Sequence, residues 1–267
     1  MNVVITGASS GIGRALAATF ARKGHAVLAV ARRKERLMEL SREMAEYGAA
    51  PVHFLALDIT SQGAPEALMA EAVRVFGKIH VLINNAGMSP YQEFRELSRA
   101  HLRQSIDLNV RALTELCHIF LSHMLSHGEP SRLVNVGSVG SYAPLPKFSV
   151  YTGGKHYVRV FTNLLRREYR GTNIRVSGLY PGGTLTEFPP LAGQWPKKFA
   201  RSAMHTPEQV AAIAYPAILA GKRVIIPGFT NQLAALAGKV LPFPLAIRLM
   251  EFIYDMSVEQ VATTYPL

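Results

Sequence analysis

The stretch "NVVITGASSGIGR" (residues 2–14) decides the fold. Its first five residues are apolar or β-branched after Asn2 and read as a buried strand. The strand runs into a turn holding Gly7, Gly11 and Gly13, and a helical pattern opens near Ile12. Glycines there permit a tight turn and let backbone N–H groups approach a ligand closely. The helix N-terminus adds positive potential, and the combination suits a phosphate. The spacing G-x-x-x-G-x-G differs from the commoner G-x-G-x-x-G. Its place, directly between an N-terminal strand and an amphipathic helix, is the one a dinucleotide site needs.

The rest of the chain repeats that alternation. Apolar runs at 2–6, 26–30, 52–57, 80–84, 132–138, 174–180 and 223–228 read as strands. Helical patterns fill 12–23, 34–46, 64–76, 99–127, 150–170 and 207–220. Near-continuous apolar strands with helical crossovers predict an α/β fold, a doubly wound Rossmann-type parallel sheet of about seven strands with helices on both faces. We read 1–228 as the dinucleotide-binding and catalytic domain, and 229–267 as a helical C-terminal extension of the same domain. In that tail Leu233, Leu236, Ala237, Val240 and Leu241 form one stripe and Leu245, Leu249 and Ile253 another, split by Pro242 and Pro244. Two apolar stripes must be covered. Packing against the same domain or another subunit is the favoured reading, and peripheral contact with a lipid surface the alternative.

The 267 residues suffice for a sizeable core, and 49% hydrophobic with 18% charged is a globular composition. A single cysteine, Cys117, excludes an internal disulfide and fits a reducing compartment. With no leader-like N-terminus and no long uncharged apolar run, the expected location is cytoplasmic. The net charge of +11 points to anionic partners. The basic residues form short clusters without interleaved aromatics, and no helix-turn-helix or zinc pattern is present, so a small phosphorylated ligand is favoured over nucleic acid. His123 and His127 have a ligand spacing on one helix, but no third ligand is evident and no metal is expected.

A dinucleotide site next needs a group for the adenosine ribose at the end of the second strand. That strand runs into "ARRKER" (31–36), where Ala31 takes the place of a carboxylate and Arg32 and Arg33 follow. Guanidinium groups suit a 2′-phosphate, so NADP(H) is favoured over NAD(H). Arg32 is the first choice, with Arg33 free to point to solvent.

The chain resembles the classical short-chain dehydrogenases/reductases. "TGASSGIG" (6–13), "NNAG" (84–87), Asn109 in "IDLNV", Ser138 in "VNVGS", "YTGGK" (151–155) and "PGGTLT" (181–186) match that family's motifs in order and at compatible spacing, over roughly residues 1–228. The resemblance implies that Tyr151 is the general acid/base and that Lys155, one helical turn later, lowers its pKa and binds the nicotinamide ribose. A nearby ammonium does favour the tyrosine anion. Ser138 would hydrogen-bond the substrate oxygen, and Asn109 would hold a water linking Lys155 to solvent. Cofactor contacts carry over to Ser9, Ser10, Asp58 and Ile59 on the adenosine side. Asn85, Ala86 and Gly87 border the ribose, and Pro181, Gly182, Thr184 and Thr186 flank the nicotinamide. Gly153 and Gly154 depart from the family's pattern and could let the backbone pass close to a ligand.

By the same resemblance, 184–206 forms a substrate lid bearing Phe188, Leu191, Trp195 and Phe199. "SYAPLPKFSV" (141–150) adds Tyr142, Leu145 and Phe148, and Gly140 lies beside Ser138. An apolar mouth suits a hydrophobic carbonyl or secondary alcohol. The expected function is an NADP(H)-dependent oxidoreductase acting on CH–OH/C=O, working as a homo-oligomer of two or four subunits. The alternative is an NADP(H)-binding sensor or scaffold with little turnover.

Overall fold

The computed structural model describes residues 1–192 and 194–260, with the backbone alone at Pro190, Gln194, Trp195 and Gln260. Seven parallel strands lie in the order β3-β2-β1-β4-β5-β6-β8. They are β1 (Asn2–Thr6), β2 (Ala26–Ala31), β3 (Val52–Ala56), β4 (Val81–Asn84), β5 (Ser131–Val136), β6 (Ile174–Leu179) and β8 (Val224–Ile225). The crossovers are α1 (Gly11–Arg22), α2 (Lys34–Glu46), α3 (Ala64–Phe76), α4 (Arg99–Ile106) with α5 (Leu113–His127), α6 (Ser149–Glu168) and α9 (Pro207–Leu219).

The alternation along β1 explains the layers. Val3 and Ile5 pack with Leu16, Phe20 and Leu40 on one face, where α1, α2 and α9 lie. Val4 packs with Leu68, Leu116, Phe120 and Val158 on the other, where α3, α5 and α6 lie. Both faces are covered, so the strands are apolar throughout. β1 pairs with β2 on one side and β4 on the other, and the crevice at their carboxyl ends is the switch point where such sheets bind ligands.

The expected helix over 99–127 is interrupted. Residues Asp107–Ala112 form a π-helical segment between α4 and α5. Arg111 braces it through Asp107 (2.8 Å), Glu115 (3.1 Å) and the carbonyl of Thr60 (2.7 Å). Such segments re-aim side chains within a helix, and this one carries Asn109.

The lid region holds the short helices α7 (Phe188–Leu191) and α8 (Lys198–Ala203), with β7 (Gln194–Pro196) between them. The tail forms α10 (Phe229–Val240), α11 (Phe243–Ser257) and a strand that the sequence did not reveal, β9 (Val258–Gln260), paired antiparallel with β7. The apolar stripe of α10 is not what docks it. Leu233, Leu236 and Val240 are exposed, whereas Ala235 is buried. A Cβ at Gly238 would overlap the carbonyl oxygen of Tyr142, so the helix approaches the domain through its small residues.

Candidate active site

The glycine loop is closed from two sides. Gly7 and Gly11 have φ of 68° and 54°, in the left-handed region that favours glycine. A Cβ at Gly7 would lie 2.8 Å from Ala86 Cα, and one at Gly13 would overlap the Gly7 carbonyl and the Asn85 amide. Asn85 Nδ2 donates to the carbonyls of Thr6 (2.9 Å) and Gly7 (3.3 Å). Thr6 Oγ1 accepts from the N–H groups of Asn85 (3.1 Å) and Ala86 (3.2 Å). The first intrahelical bond of α1 runs from Arg14 N to Ser10 O (3.2 Å). The N–H groups of Gly11, Ile12 and Gly13 therefore stand at the open end of the helix. A cradle of donors without Cβ atoms fits a dinucleotide pyrophosphate.

At the end of β2 the two arginines part. Arg33 does not point to solvent. Its guanidinium donates to Ser9 Oγ (3.1 and 3.2 Å) and Ser10 Oγ (2.7 Å), and pairs with Glu187 at 2.7 Å. Arg32, the first choice from sequence, turns to Asp58 at 3.7 Å and is largely exposed. The physical reason is competition for partners. Arg33 finds two hydroxyls and a carboxylate on one side, while Arg32 faces a single carboxylate. Burial opposes ionisation of Asp58, but hydrogen bonds from Thr60 N (2.9 Å) and Oγ1 (2.7 Å) and the charge of Arg32 lower its pKa. Ile59 beside it is buried.

The chemistry-bearing residues converge beyond β5. Ser138 N-caps a 3₁₀ turn, Val139–Ser141, and its Oγ accepts from Gly140 N at 3.1 Å. That bond leaves the hydroxyl proton available, and Tyr151 at the head of α6 is hydrogen-bonded to Ser138. Lys155 is buried, its Nζ donating to the Val136 carbonyl (2.8 Å) and lying 5.6 Å from the centre of the Tyr151 ring. Asn109 Nδ2 is held by the carbonyls of Met88 (2.8 Å) and Ser105 (2.9 Å). Its buried Oδ1 has no hydrogen-bond partner. A Cβ at Gly87 would sit 3.1 Å from that oxygen and 3.5 Å from Lys155 Nζ, so both atoms face the space over Gly87.

Burial opposes the lowering of the Tyr151 pKa that the resemblance implies. Burial raises the Tyr151 pKa to about 12, and the Ser138 hydrogen bond offsets this only in part. Lys155 is itself buried, and burial lowers its own pKa to about 8. A Cβ at Gly153 would meet nothing within 4 Å, and one at Gly154 would make ordinary contacts with Val110 (3.5 Å) and Asn109 (3.7 Å).

Pro181 is buried and its carbonyl accepts from Val139 N (2.9 Å). Gly182 lies against Asn231 of α10, and Thr184 is buried with its Oγ1 on the Gly182 carbonyl (3.0 Å). Thr186 packs against Gly11, where a Cβ would lie 3.0 Å from its Cγ2, so the segment after β6 crosses the glycine loop.

A run of aromatic rings leads from Tyr151 to the C-terminal helix. The Tyr151 ring lies 5.7 Å from Phe188 and 5.5 Å from Phe148. Phe148 is 4.9 Å from Tyr91, and Tyr91 is 5.0 Å from Tyr254 of α11. The Tyr254 hydroxyl is buried without a hydrogen-bond partner. Leu145 is half-buried in the preceding loop, while Leu191 and Phe199 are exposed. Trp195 lies in β7, and its side chain is outside the described residues. Sequence reasoning missed Tyr91, Tyr254 and Glu187. His123 and His127 are occupied by the backbone of Ile79, at 3.2 Å and 3.1 Å. Cys117 is buried between Asn84 and Asn135, and burial pushes its thiol up to about 12.

A phosphate cradle at the switch point, with a Ser–Tyr–Lys cluster beyond the fifth strand, defines a nicotinamide-dinucleotide oxidoreductase. The profile of the short chain dehydrogenase family matches residues 1–196, and the chain belongs to that family. It is 38% identical over 187 residues to a sulfoacetaldehyde reductase of Chromohalobacter salexigens, covering 70% of this chain and 73% of that one. It is 31% identical over 220 residues to the NADP-dependent 3-hydroxy acid dehydrogenase YdfG of Shigella flexneri, covering 79% and 86%. A short-chain dehydrogenase from Sphingobium yanoikuyae in complex with NADPH superimposes with a TM-score of 0.79 at 31% identity, covering 89% of this chain and 92% of that one. The protein is thus an oxidoreductase acting on CH–OH/C=O with a nicotinamide dinucleotide.

Proposed function

We propose that the chain is an NADP(H)-dependent oxidoreductase interconverting an apolar carbonyl compound and its secondary alcohol. The observation that carries this reading is Tyr151, hydrogen-bonded to Ser138 within a wall of aromatic rings. When bound, the nicotinamide supplies or accepts the hydride. Ser138, its oxygen already held by Gly140 N, donates to the substrate oxygen as negative charge grows there. Tyr151 delivers its proton to the same oxygen during reduction and removes it during oxidation. Lys155, charged below pH of about 8, stabilises the tyrosinate left behind. Asn109 Oδ1 and the unused donors of Lys155 face one space, which suits a water relaying protons to Tyr151.

NADP(H) is preferred in this reading because Ala31 offers no ribose acceptor and Arg33, with Ser9 and Ser10, offers a phosphate site. Gly7, Gly11, Ile12 and Gly13 hold the pyrophosphate. Residues 1–228 bind cofactor and carry the chemistry, and the tail completes the substrate wall through Tyr254. Phe148, Tyr91, Phe188 and Tyr254 suit a bulky apolar or aryl ketone over a small charged one. The test is kcat/KM with NADPH across a panel of aryl, alkyl and anionic carbonyls. Turnover confined to short anionic aldehydes, such as sulfoacetaldehyde, would overturn the apolar assignment.

A further inference from the structure

Helices α10 and α11 leave most of their apolar side chains in solvent. On α10, Phe229, Leu233, Leu236 and Val240 recur at helical spacing and are all exposed. On α11, Leu245, Leu249, Phe252, Ile253 and Met256 are exposed as well. The helices meet at a tip, "VLPFPLAI" (240–247), that carries no charge. There Val240 is 73%, Phe243 62% and Leu245 51% exposed. Lys239 and Arg248 bracket the tip, and the acidic Glu251 and Asp255 follow farther along α11.

A strip of arginines adjoins this tip. A cavity of about 690 Å³ is lined by Arg166, Arg167, Arg170, Arg175 and Arg223. A second, of about 540 Å³, shares Arg223 and Asn163 with the first and adds Arg159 and Lys239. No carboxylate lines either cavity. Among the described residues none of these arginines has a carboxylate within ion-pair distance. Burial, and then the charges of Arg175 and Arg223, lower the pKa of Arg166, whose Nη1 donates to the carbonyls of Val176 (2.6 Å) and Gly221 (3.1 Å). Arg159 and Lys239 lie over the same Tyr142 ring, at 4.6 and 4.8 Å. Lys239 immediately precedes the tip, so strip and tip form one continuous surface.

We propose that this surface docks on an anionic lipid bilayer. The tip residues Val240, Phe243 and Leu245 enter the acyl boundary, and Lys239, Arg248 and the arginine strip face headgroup phosphates. An exposed apolar tip without charges needs a non-aqueous partner, and a carboxylate-free strip beside it needs an anionic one; a bilayer supplies both. A second copy meeting this surface with the strips about a two-fold axis would set cation against cation, and the residues lining the strip include no carboxylate to pair them. Glu251 and Asp255 limit the depth of entry. Among the described residues no helix is long and apolar enough to cross a membrane, so contact is confined to one leaflet.

The test is co-sedimentation of the full chain with vesicles of phosphatidylcholine mixed with phosphatidylglycerol, and of phosphatidylcholine alone. The variants are Phe243→Glu/Leu245→Glu and Arg167→Glu/Arg170→Glu, each checked for unchanged thermal unfolding. Wild type should pellet with the mixed vesicles and weakly with phosphatidylcholine. The arginine pair should lose about fivefold in partitioning per arginine removed, and the loss should vanish at high salt. The tip pair should lose binding to both vesicles. A polarity-sensitive dye at Phe243→Cys should shift to the blue on mixed vesicles, Cys117 being buried and out of reach. Wild type left in the supernatant, or a tip variant that binds like wild type, overturns the proposal. A tip variant of halved mass by light scattering, with no vesicle binding by wild type, assigns the surface to a second copy instead.

Discussion

Glu187, on the segment that crosses the glycine loop, pairs with Arg33 at 2.7 Å and with Arg36 at 3.2 Å. The hydrogen bond from Arg33, then the charges of Arg33 and Arg36, lower the Glu187 pKa. A carboxylate thus occupies the guanidinium that a 2′-phosphate would use, so in the proposed NADP(H) reading Glu187 competes with that phosphate. Glu187→Gln should tighten NADPH binding and leave NADH unchanged. The pair is partly exposed, so the gain is at most about fivefold. Arg33→Ala should weaken NADPH by roughly 10- to 150-fold, with a smaller effect from Arg32→Ala. Fluorescence titration of both cofactors at fixed ionic strength reads all three, and equal losses for the two arginine variants would contradict the geometry.

Tyr151→Phe removes one proton and little volume. It should keep NADPH binding while kcat falls about 10²- to 10⁴-fold. The pH profile separates Tyr151 from Lys155. Tyr151, with a pKa of about 12, stays protonated throughout the neutral range, whereas Lys155 loses its charge as pH rises through about 8. For carbonyl reduction, kcat/KM should be level below that point and decline above it. Lys155→Met should abolish the inflection. A wild-type profile that stays level well above pH 8 would mean that the charge of Lys155 does not matter to the step.

Tyr254 joins the tail to the aromatic rings that lead to Tyr151, 5.0 Å from Tyr91 and 6.2 Å from Phe148. Tyr254→Ala should raise KM for bulky ketones more than for small ones, and Tyr254→Phe should isolate the contribution of the buried hydroxyl. A substrate panel run on all three proteins reads the difference. Identical KM ratios would place Tyr254 outside the substrate's reach.

Gly153 lies inside α6 with open space where a Cβ would be. Gly153→Ala should therefore stabilise the fold by roughly 0.5–1 kcal/mol. The expected rise in Tm is about 1–4 °C, measured by calorimetry. A fall in Tm would show that the glycine serves a contact formed only when a ligand or second subunit is present.

Local order and short-range pattern carried the sequence reading a long way. The strand–glycine–helix opening, the apolar alternation and the one-turn spacing of Tyr151 and Lys155 depend on neighbours in the chain, so they are legible without coordinates. The same holds for Ala31 in place of a carboxylate. What tertiary structure alone decided depends on distant partners. Arg33 rather than Arg32 reaches Ser9, because a glutamate more than 150 positions away helps to hold it. The π segment at Asn109 arises where Arg111 reaches Thr60. β9 pairs with a lid strand, and α11 sets Tyr254 beside Tyr91, contacts that no periodicity encodes. The Tyr151 pKa rises because burial, a property of the whole fold, outweighs the hydrogen bond from Ser138. Composition set the chain's charge of +11; only folding gathered the arginines into one strip beside an apolar tip.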